Sequence, residues 1–356
     1  MLVLRKAGGN LDMAGQYDDK TVAELTQMVK ANCPVWGLGR NAEVKLLNLS
    51  ENATFLGRDP DAGRDIIIRV QRTGYSSKDA IRSELAWVKA LHDSGTIITA
   101  APVQCADGGF VADMQTASGH KRMAVAFERL PGAEPQVGQD GLAYWFEKIG
   151  GLTAKMHAQS RIWKRPEWFT RRVWDWDGII GEHAFWGRWQ DAIGLTRQGH
   201  DAIARVLAII KPMLDRYGTA PDRFGVIHAD MRATNLLIDG GRLQVIDFDD
   251  MGFGWYLFDC AASLTFMEQD PSAPQLLAAW LKGYEAVSPL SEYEKSLLPV
   301  FSILRRIEIS AWCASHYEIP FNQQNAAKVT AQTEKLAQDF IDGVYLRPEA
   351  YEAKAG

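Results

Sequence analysis

The sequence carries little that would tie it to a membrane, to nucleic acid or to a transition metal. No apolar run reaches the roughly 18 residues needed to span a bilayer. Positive charge is not in excess: 39 Lys and Arg face 44 Asp and Glu, a formal net charge of −5. The basic face that nucleic-acid binding requires is therefore not expected. Cysteines are few, at Cys33, Cys105, Cys260 and Cys313, with no C-x-x-C and no histidine pair beside them. That spacing argues against a zinc site or a disulfide framework and predicts buried free thiols. The opening MLVLRKAGGNLDMAG has no continuous apolar stretch of signal-peptide type, so a cytoplasmic protein is expected, as monomer or homodimer. Also missing are G-x-x-x-x-G-K-[ST], H-E-x-x-H and G-x-S-x-G. Gly37-x-Gly39-x-x-Ala42 has the glycines of a dinucleotide fingerprint but precedes a strand instead of joining a strand to a helix.

What is present is enough apolar material for more than one core: 356 residues, 47% hydrophobic and 23% charged. Periodicity predicts a leading helix over Thr21–Ala31, then strands over Val44–Leu49, Thr54–Gly57 and Asp65–Gln71, with a turn across Arg58–Arg64. Ser77–His92 has helical period, and Pro102–Cys105, Gly109–Asp113 and Arg122–Phe127 read as three further strands. After Leu130-Pro131-Gly132 the pattern becomes helical: Asp140–Gln159, Thr196–Tyr217, Tyr256–Met267, Pro274–Ala286, Leu290–Tyr317 and Ala326–Gly343. The exception is Gly225–Asp250, where two β-like runs flank a turn at Asp239-Gly240-Gly241. The expected architecture is α+β: a β-rich lobe of residues 1–129, a hinge, and a larger, mainly helical lobe of residues 130–356.

The chemistry is concentrated in residues 226–249, VIHADMRATNLLI…LQVIDFD. Phosphoryl transfer asks a protein mainly for positioning and charge neutralisation. It needs a carboxylate for the proton of an attacking hydroxyl, and hard oxygen ligands for Mg²⁺ against a triphosphate. His228-x-Asp230-x-x-x-x-Asn235, followed by Asp247-Phe248-Asp249, supplies these in order. Asp230 is the expected base, Asn235 and Asp247 the expected metal ligands, and His228 a brace for the loop.

With these residues the chain resembles the aminoglycoside phosphotransferase / choline kinase family of protein-kinase-like, bilobal fold. It looks closest to the branch described as homoserine-kinase-like or stress-response Ser/Thr kinase-like. The resemblance implies ATP and Mg²⁺ as cofactors, a small antiparallel-sheet N-lobe and a larger helical C-lobe. It also implies that Asp259 braces the catalytic loop. Ser50, Asn52 and Thr54, in the loop Leu49–Thr54, are expected to cap the phosphates. Arg69 stands where a strand lysine is usual, with Glu84 as its partner, and the adenine is expected at the hinge, Phe127–Leu130, with Glu128 and Leu130.

Ala229 replaces the arginine of H-R-D, the segment after Asp249 is short, and Asp249 replaces the D-F-G glycine. These departures favour a small hydroxylated acceptor over a protein. Asp249, Asp250 and Glu268 are candidate contacts for an amine-bearing acceptor, and Trp255, Trp280 and Trp312 could box a cation, though core filling is the commoner fate of such aromatics. The alternatives are a stress-response-type Ser/Thr protein kinase and a silent nucleotide-binding scaffold. Arg305 and Arg306 sit side by side on an apolar helix and cannot both point the same way; one could face an anionic acceptor or phosphate, but helix-surface ion pairs are the commoner outcome and are expected. Six of the twelve tryptophans fall between Trp163 and Trp189. Mixed charge there argues against base stacking, and a structural insert, lid or dimer surface is expected.

Overall fold

A computed structural model describes residues 19–50, 52–135 and 141–347. The opening stretch, Glu51 of the phosphate loop and Asp140, the expected start of a helix, lie outside the described residues. The chain separates into two compact units. One runs to Leu85 and adds Ala101–Arg129; the other takes Ala86–Ala100 and everything from Leu130.

The first unit begins with α1 (Asp19–Asn32) and continues through β1 (Glu43–Leu49), β2 (Ala53–Asp59), β3 (Arg64–Val70), the part of α2 (Lys78–Asp93) up to Leu85, β4 (Ala112–Gln115) and β5 (Lys121–Glu128). The strands make one five-stranded antiparallel sheet in the order β1-β2-β3-β5-β4. Period-2 alternation sends Phe55, Ile66 and Ile68 to a face where they meet Leu25, Met28 and Val29 of α1 and Trp36. Thr54, the expected start of the second strand and end of the loop before it, lies inside β2 opposite Arg69. The β1–β2 connection is tighter than expected and is closed by Ser50 N donating to Asn52 O at 3.0 Å. Pro102–Cys105 is not a strand. Pro102 lacks the N–H a ladder needs, and only an isolated bridge joins it to Phe127.

The second unit contains α3 (Leu142–Ile162), β6 (Val173–Trp174), α4 (Trp176–Ile180), α5 (Arg197–Tyr217), β7 (Phe224–Ile227), β8 (Leu236–Asp239), β9 (Arg242–Val245) and β10 (Gly252–Trp255). It ends with α6 (Phe258–Ser263), α7 (Ala273–Glu285), α8 (Glu292–Ser315) and α9 (Pro320–Ile341). β10 pairs parallel with β6 and antiparallel with β7, while β8 and β9 form the hairpin read from the sequence. The helix expected over Tyr256–Met267 is shorter, and Phe266 beyond it has a positive φ of 68°. A capping box at Ser291 and Glu294 starts α8.

Helices α3 and α7 approach closely enough that only glycine fits at the crossing. A Cβ on Gly283 would lie 1.8 Å from Glu147 O, and one on Gly150 2.0 Å from Trp280 O. Trp255 and Trp280 are core residues at 4% and 0% exposure, which removes them as a cation box. All four cysteines are buried and unbonded. No helix among the described residues is long and apolar enough to cross a membrane.

Candidate active site

In the second unit the β8–β9 hairpin gathers the cassette. Leu236 pairs with Val245 in the ladder, and one step further Ile246 N donates to Asn235 O at 2.9 Å. That register puts Asn235 beside the chain position leading into Asp247. His228 ties the catalytic loop to the same strand end: its Nδ1 accepts from Asp230 N (3.2 Å), so Nε2–H donates to Ile246 O (3.2 Å). It touches backbone on both sides, which is the bracing role expected for it. Phe248 is held between the rings of Trp87 (5.6 Å) and His228 (4.6 Å).

The backbone is strained at two positions of the cassette. Ala229 and Asp247 both have positive φ, 68° and 59°, a conformation that a non-glycine residue keeps only when its surroundings hold it. For Ala229 the holder is Asp259, which is fully buried. Its Oδ1 accepts from Ala229 N at 2.7 Å, and its Oδ2 accepts from His228 N at 3.1 Å and His157 Nε2 at 2.9 Å. His157 is itself bonded to Tyr284 (3.0 Å), and burial, outweighing Asp259, pushes its pKa below the ordinary histidine value. A neutral imidazole therefore completes the brace.

Asp230 is almost fully buried and held at both oxygens. Oδ2 accepts from Asn235 Nδ2 (2.7 Å) and Arg232 Nε (2.9 Å); Oδ1 accepts from Arg305 at 2.9 Å. Burial pushes its carboxyl up, but the guanidiniums of Arg232 and Arg305 outweigh burial and hold it below the usual carboxylate value. Asn235 spends Nδ2 on Asp230 O and Oδ2, so the atom it can offer a cation is Oδ1. Asp247 is exposed. An amide oxygen and a carboxylate are the hard donors Mg²⁺ takes, with phosphates and water completing its shell. No cluster of three or more His, Cys, Asp or Glu suited to a metal occurs among the described residues.

Arg305 was expected on the helix surface; it is 1% exposed, and Arg306 is 0% exposed. Adjacent helix positions diverge. Arg305 reaches Asp230 and donates to Glu308 Oε2 at 3.1 Å, with its guanidinium 4.7 Å from the Trp186 ring centre. Arg306 pairs with Glu268 (3.1 Å) and bonds Thr333 of α9. Glu268 is thus the buried partner of Arg306 at 0% exposure, not the acceptor contact expected for it. Asp249 and Asp250 are held from the tryptophan-rich segment. Arg171 donates to Asp249 O and Met251 O, Arg172 pairs with Asp250 (2.9 Å), and Trp174 Nε1 donates to Asp250 O (2.7 Å). The segment thus clamps the chain after Asp247-Phe248-Asp249, a role its composition did not suggest. Arg232, the buried partners of Arg305, and Glu308 also escaped sequence reasoning. Arg232 lies inside the cassette and was legible as a cation two residues after the base; the other two were not.

In the first unit Arg69 NH2 donates to both oxygens of Glu84, at 2.7 and 2.6 Å, and the pair is buried. With its amide oriented to suit its neighbours, Gln71 accepts from Arg69 Nε (3.1 Å) and donates to Asn52 (3.2 Å). Asn52 Oδ1 also accepts from Arg72 N at 3.1 Å, so it shapes the turn beside Ser50. Glu128 pairs with Arg64 (2.6 Å), and its N–H donates to Ala101 O at 2.9 Å. Leu130 opens the second unit and is half-buried.

The model described as APH, phosphotransferase enzyme family, matches residues 43–293. The chain belongs to that family. Among solved structures, this phosphotransferase is similar to a microcompartment-associated aminopropanol kinase, with TM-score 0.82 and 35% identity over 93% of this chain and 100% of that one. It is also similar to an amicoumacin kinase in complex with AMP-PNP and Ca²⁺, with TM-score 0.72 and 19% identity over 96% of this chain and 98% of that one. That likeness shows the fold: bilobal, protein-kinase-like, with an antiparallel N-terminal sheet and a larger helical part. The amicoumacin kinase of Bacillus subtilis (strain 168) is 24% identical over 254 residues, 68% of this chain and 72% of its own. Membership of the family carries phosphotransferase activity in general and leaves the acceptor to be argued from the site.

Proposed function

We propose that this phosphotransferase moves the γ-phosphoryl group of ATP to the hydroxyl of a small, amine-bearing alcohol. The observation that carries the reading is Asp230, pinned as an anion by Arg232, Asn235 and Arg305 at the end of the hairpin that also presents Asp247. Oδ2 already takes two donors and Oδ1 one, which leaves the second lone pair of Oδ1 for an acceptor hydroxyl. That hydroxyl, oriented on Asp230, forms its bond to the γ-phosphorus as the bond to the β,γ-bridging oxygen breaks. ADP leaves, and the hydroxyl proton passes to Asp230. A carboxylate of depressed pKa is a weak base, which suits a reaction whose loose transition state needs the hydroxyl aligned more than deprotonated early.

Arg232, its side chain about a third exposed beside Asp230, is placed to offset charge on the transferred group. Mg²⁺, held by Asn235 Oδ1 and Asp247, would supply charge neutralisation on the phosphate oxygens. Arg69, fixed by Glu84 and Gln71, is proposed for the phosphates together with Ser50, Asn52 and Thr54. Glu128 N–H is already committed to Ala101 O, so an adenine at this segment would use other backbone groups, Leu130 among them.

A small acceptor is supported by the short chain between Asp249 and α6, which is pinned by Arg171, Arg172 and Trp174 and offers no peptide-seating segment. An amine is supported by the 35% identity to an aminopropanol kinase. The test is coupled ADP release over small alcohols, amino alcohols and a casein control. Asp230→Ala should lose about 10²–10⁴-fold in rate while still binding ATP. Unchanged turnover would refute the assignment, and labelling of casein alone would favour a protein kinase.

A further inference from the structure

Around Arg305 two buried polar atoms have no hydrogen-bond partner among the described residues: Glu308 Oε1 and Trp186 Nε1. Both residues touch the same guanidinium. Glu308 gives Arg305 its other oxygen, Oε2, at 3.1 Å, and the Trp186 ring lies 4.7 Å from the guanidinium carbon. An orphaned buried carboxylate oxygen is expensive unless something completes it. The charge balance says what that something is. Burial, with a smaller push from Asp250 and Asp230, raises the Glu308 carboxyl to about 8 against Arg305, so at neutral pH it is largely protonated unless further positive charge stands beside it. A group that brings both N–H donors and positive charge would take the place of that proton, restore the carboxylate and satisfy Oε1.

The direction of approach follows from Asp230. Its open lone pair is on Oδ1, the oxygen that Arg305 holds, so an acceptor hydroxyl docks on the Arg305 side. One guanidinium therefore spans the carboxylate that receives the hydroxyl and the carboxylate that lacks a donor. We propose that Glu308 is the specificity-determining residue of the acceptor site and binds the ammonium group of the acceptor through Oε1, with Arg305 setting its distance from Asp230. The geometry selects an amino alcohol whose amine and hydroxyl are separated by a short carbon spacer. This assignment rests on the phosphotransfer reading above and adds the group that chooses the substrate.

The probes are 1-amino-2-propanol and 1,2-propanediol, which share a carbon frame and differ by the amine. With the full chain and saturating Mg·ATP, Glu308→Gln should lower kcat/KM for the amino alcohol by about 10- to 100-fold, the loss of one charged hydrogen bond. The diol should lose less, so that the preference for the amino alcohol over the diol falls by about 10-fold or more. Glu308→Asp, which keeps the charge, should recover part of the loss. Equal losses for both acceptors would make Glu308 only the counter-ion of Arg305 and overturn the proposal. Calorimetric titration with 1-amino-2-propanol separates this failure from that of the underlying reading. If amine binding weakens in Glu308→Gln although the wild type turns nothing over, the site stands and phosphotransfer falls. Equal amine binding in wild type and Glu308→Gln sinks the site whatever the turnover. A cooperative thermal unfolding transition in Glu308→Gln shows that the variant is folded.

Discussion

Replacing Asp259 by asparagine tests whether a buried carboxylate remote from the reacting atoms holds the catalytic loop in its working shape. The carboxylate accepts three hydrogen bonds, from Ala229 N (2.7 Å), His157 Nε2 (2.9 Å) and His228 N (3.1 Å). An amide has one oxygen. If that oxygen stays where Oδ2 was, it keeps His157 and His228 but turns an NH₂ toward the Ala229 N–H; the opposite orientation loses two bonds instead of one. The smaller loss is therefore the Ala229 bond, short and made to an anion, plus a buried N–H left without a partner. Together with weakening of the remaining bonds this amounts to about 2–4 kcal/mol. Ala229 has φ 68°, and an L-residue gives up about 1–2 kcal/mol to stay there. Without the bond it relaxes, and Asp230, the next residue, moves with it. A displacement of about 1 Å at a reacting group lowers the rate by about 10²-fold. Steady-state ADP release and thermal unfolding should therefore show kcat down by about that factor with KM for ATP little changed. Ala229→Gly in the same background should recover part of the rate, because glycine takes positive φ without strain. A variant that is less stable but turns over at the wild-type rate would refute the bracing argument.

Two further outcomes follow from packing and from titration. Gly283→Ala forces a Cβ to within 1.8 Å of Glu147 O at the α3–α7 crossing, where backbone must shift. A loss of about 3 kcal/mol or more in unfolding free energy is expected, and a melting temperature equal to wild type would show the crossing to be looser than it looks. Glu308 has a folded pKa raised from 4.5 to about 8 by burial, against Arg305. Its protonated form is favoured by folding, so its contribution is present below about pH 4.5 and is lost as pH rises through about 8. Glu308→Gln does not titrate, and its melting temperature should gain on wild type between pH 5 and 9. Parallel curves would contradict the shift.

Much of the fold was legible locally. The alternation of Ile66 and Ile68 and the helical period of Ser77–His92 depend on neighbours a few residues away, and both elements form. The same holds for the hairpin, whose two apolar runs and Gly240-Gly241 turn are contiguous. The errors sit where local pattern competes with tertiary geometry. Pro102 interrupts an apolar stretch that would otherwise read as a strand, Phe266 leaves helical φ, and β6 and β10 are too short to show a period.

By itself the sequence determined the cassette: the order and spacing of His228, Asp230, Asn235 and Asp247, and hence the family and its chemistry. It did so because those residues are brought together by one loop and one hairpin. Only the tertiary structure decided what surrounds Asp230. Arg305 is 75 residues from its carboxylate partner, and Arg172 is 78 from Asp250. In the sequence Arg305 and Glu308 are polar interruptions of an apolar helix that read as surface. A charge is buried only where the fold supplies its counter-charge, and that supply comes from segments whose meeting no local period records.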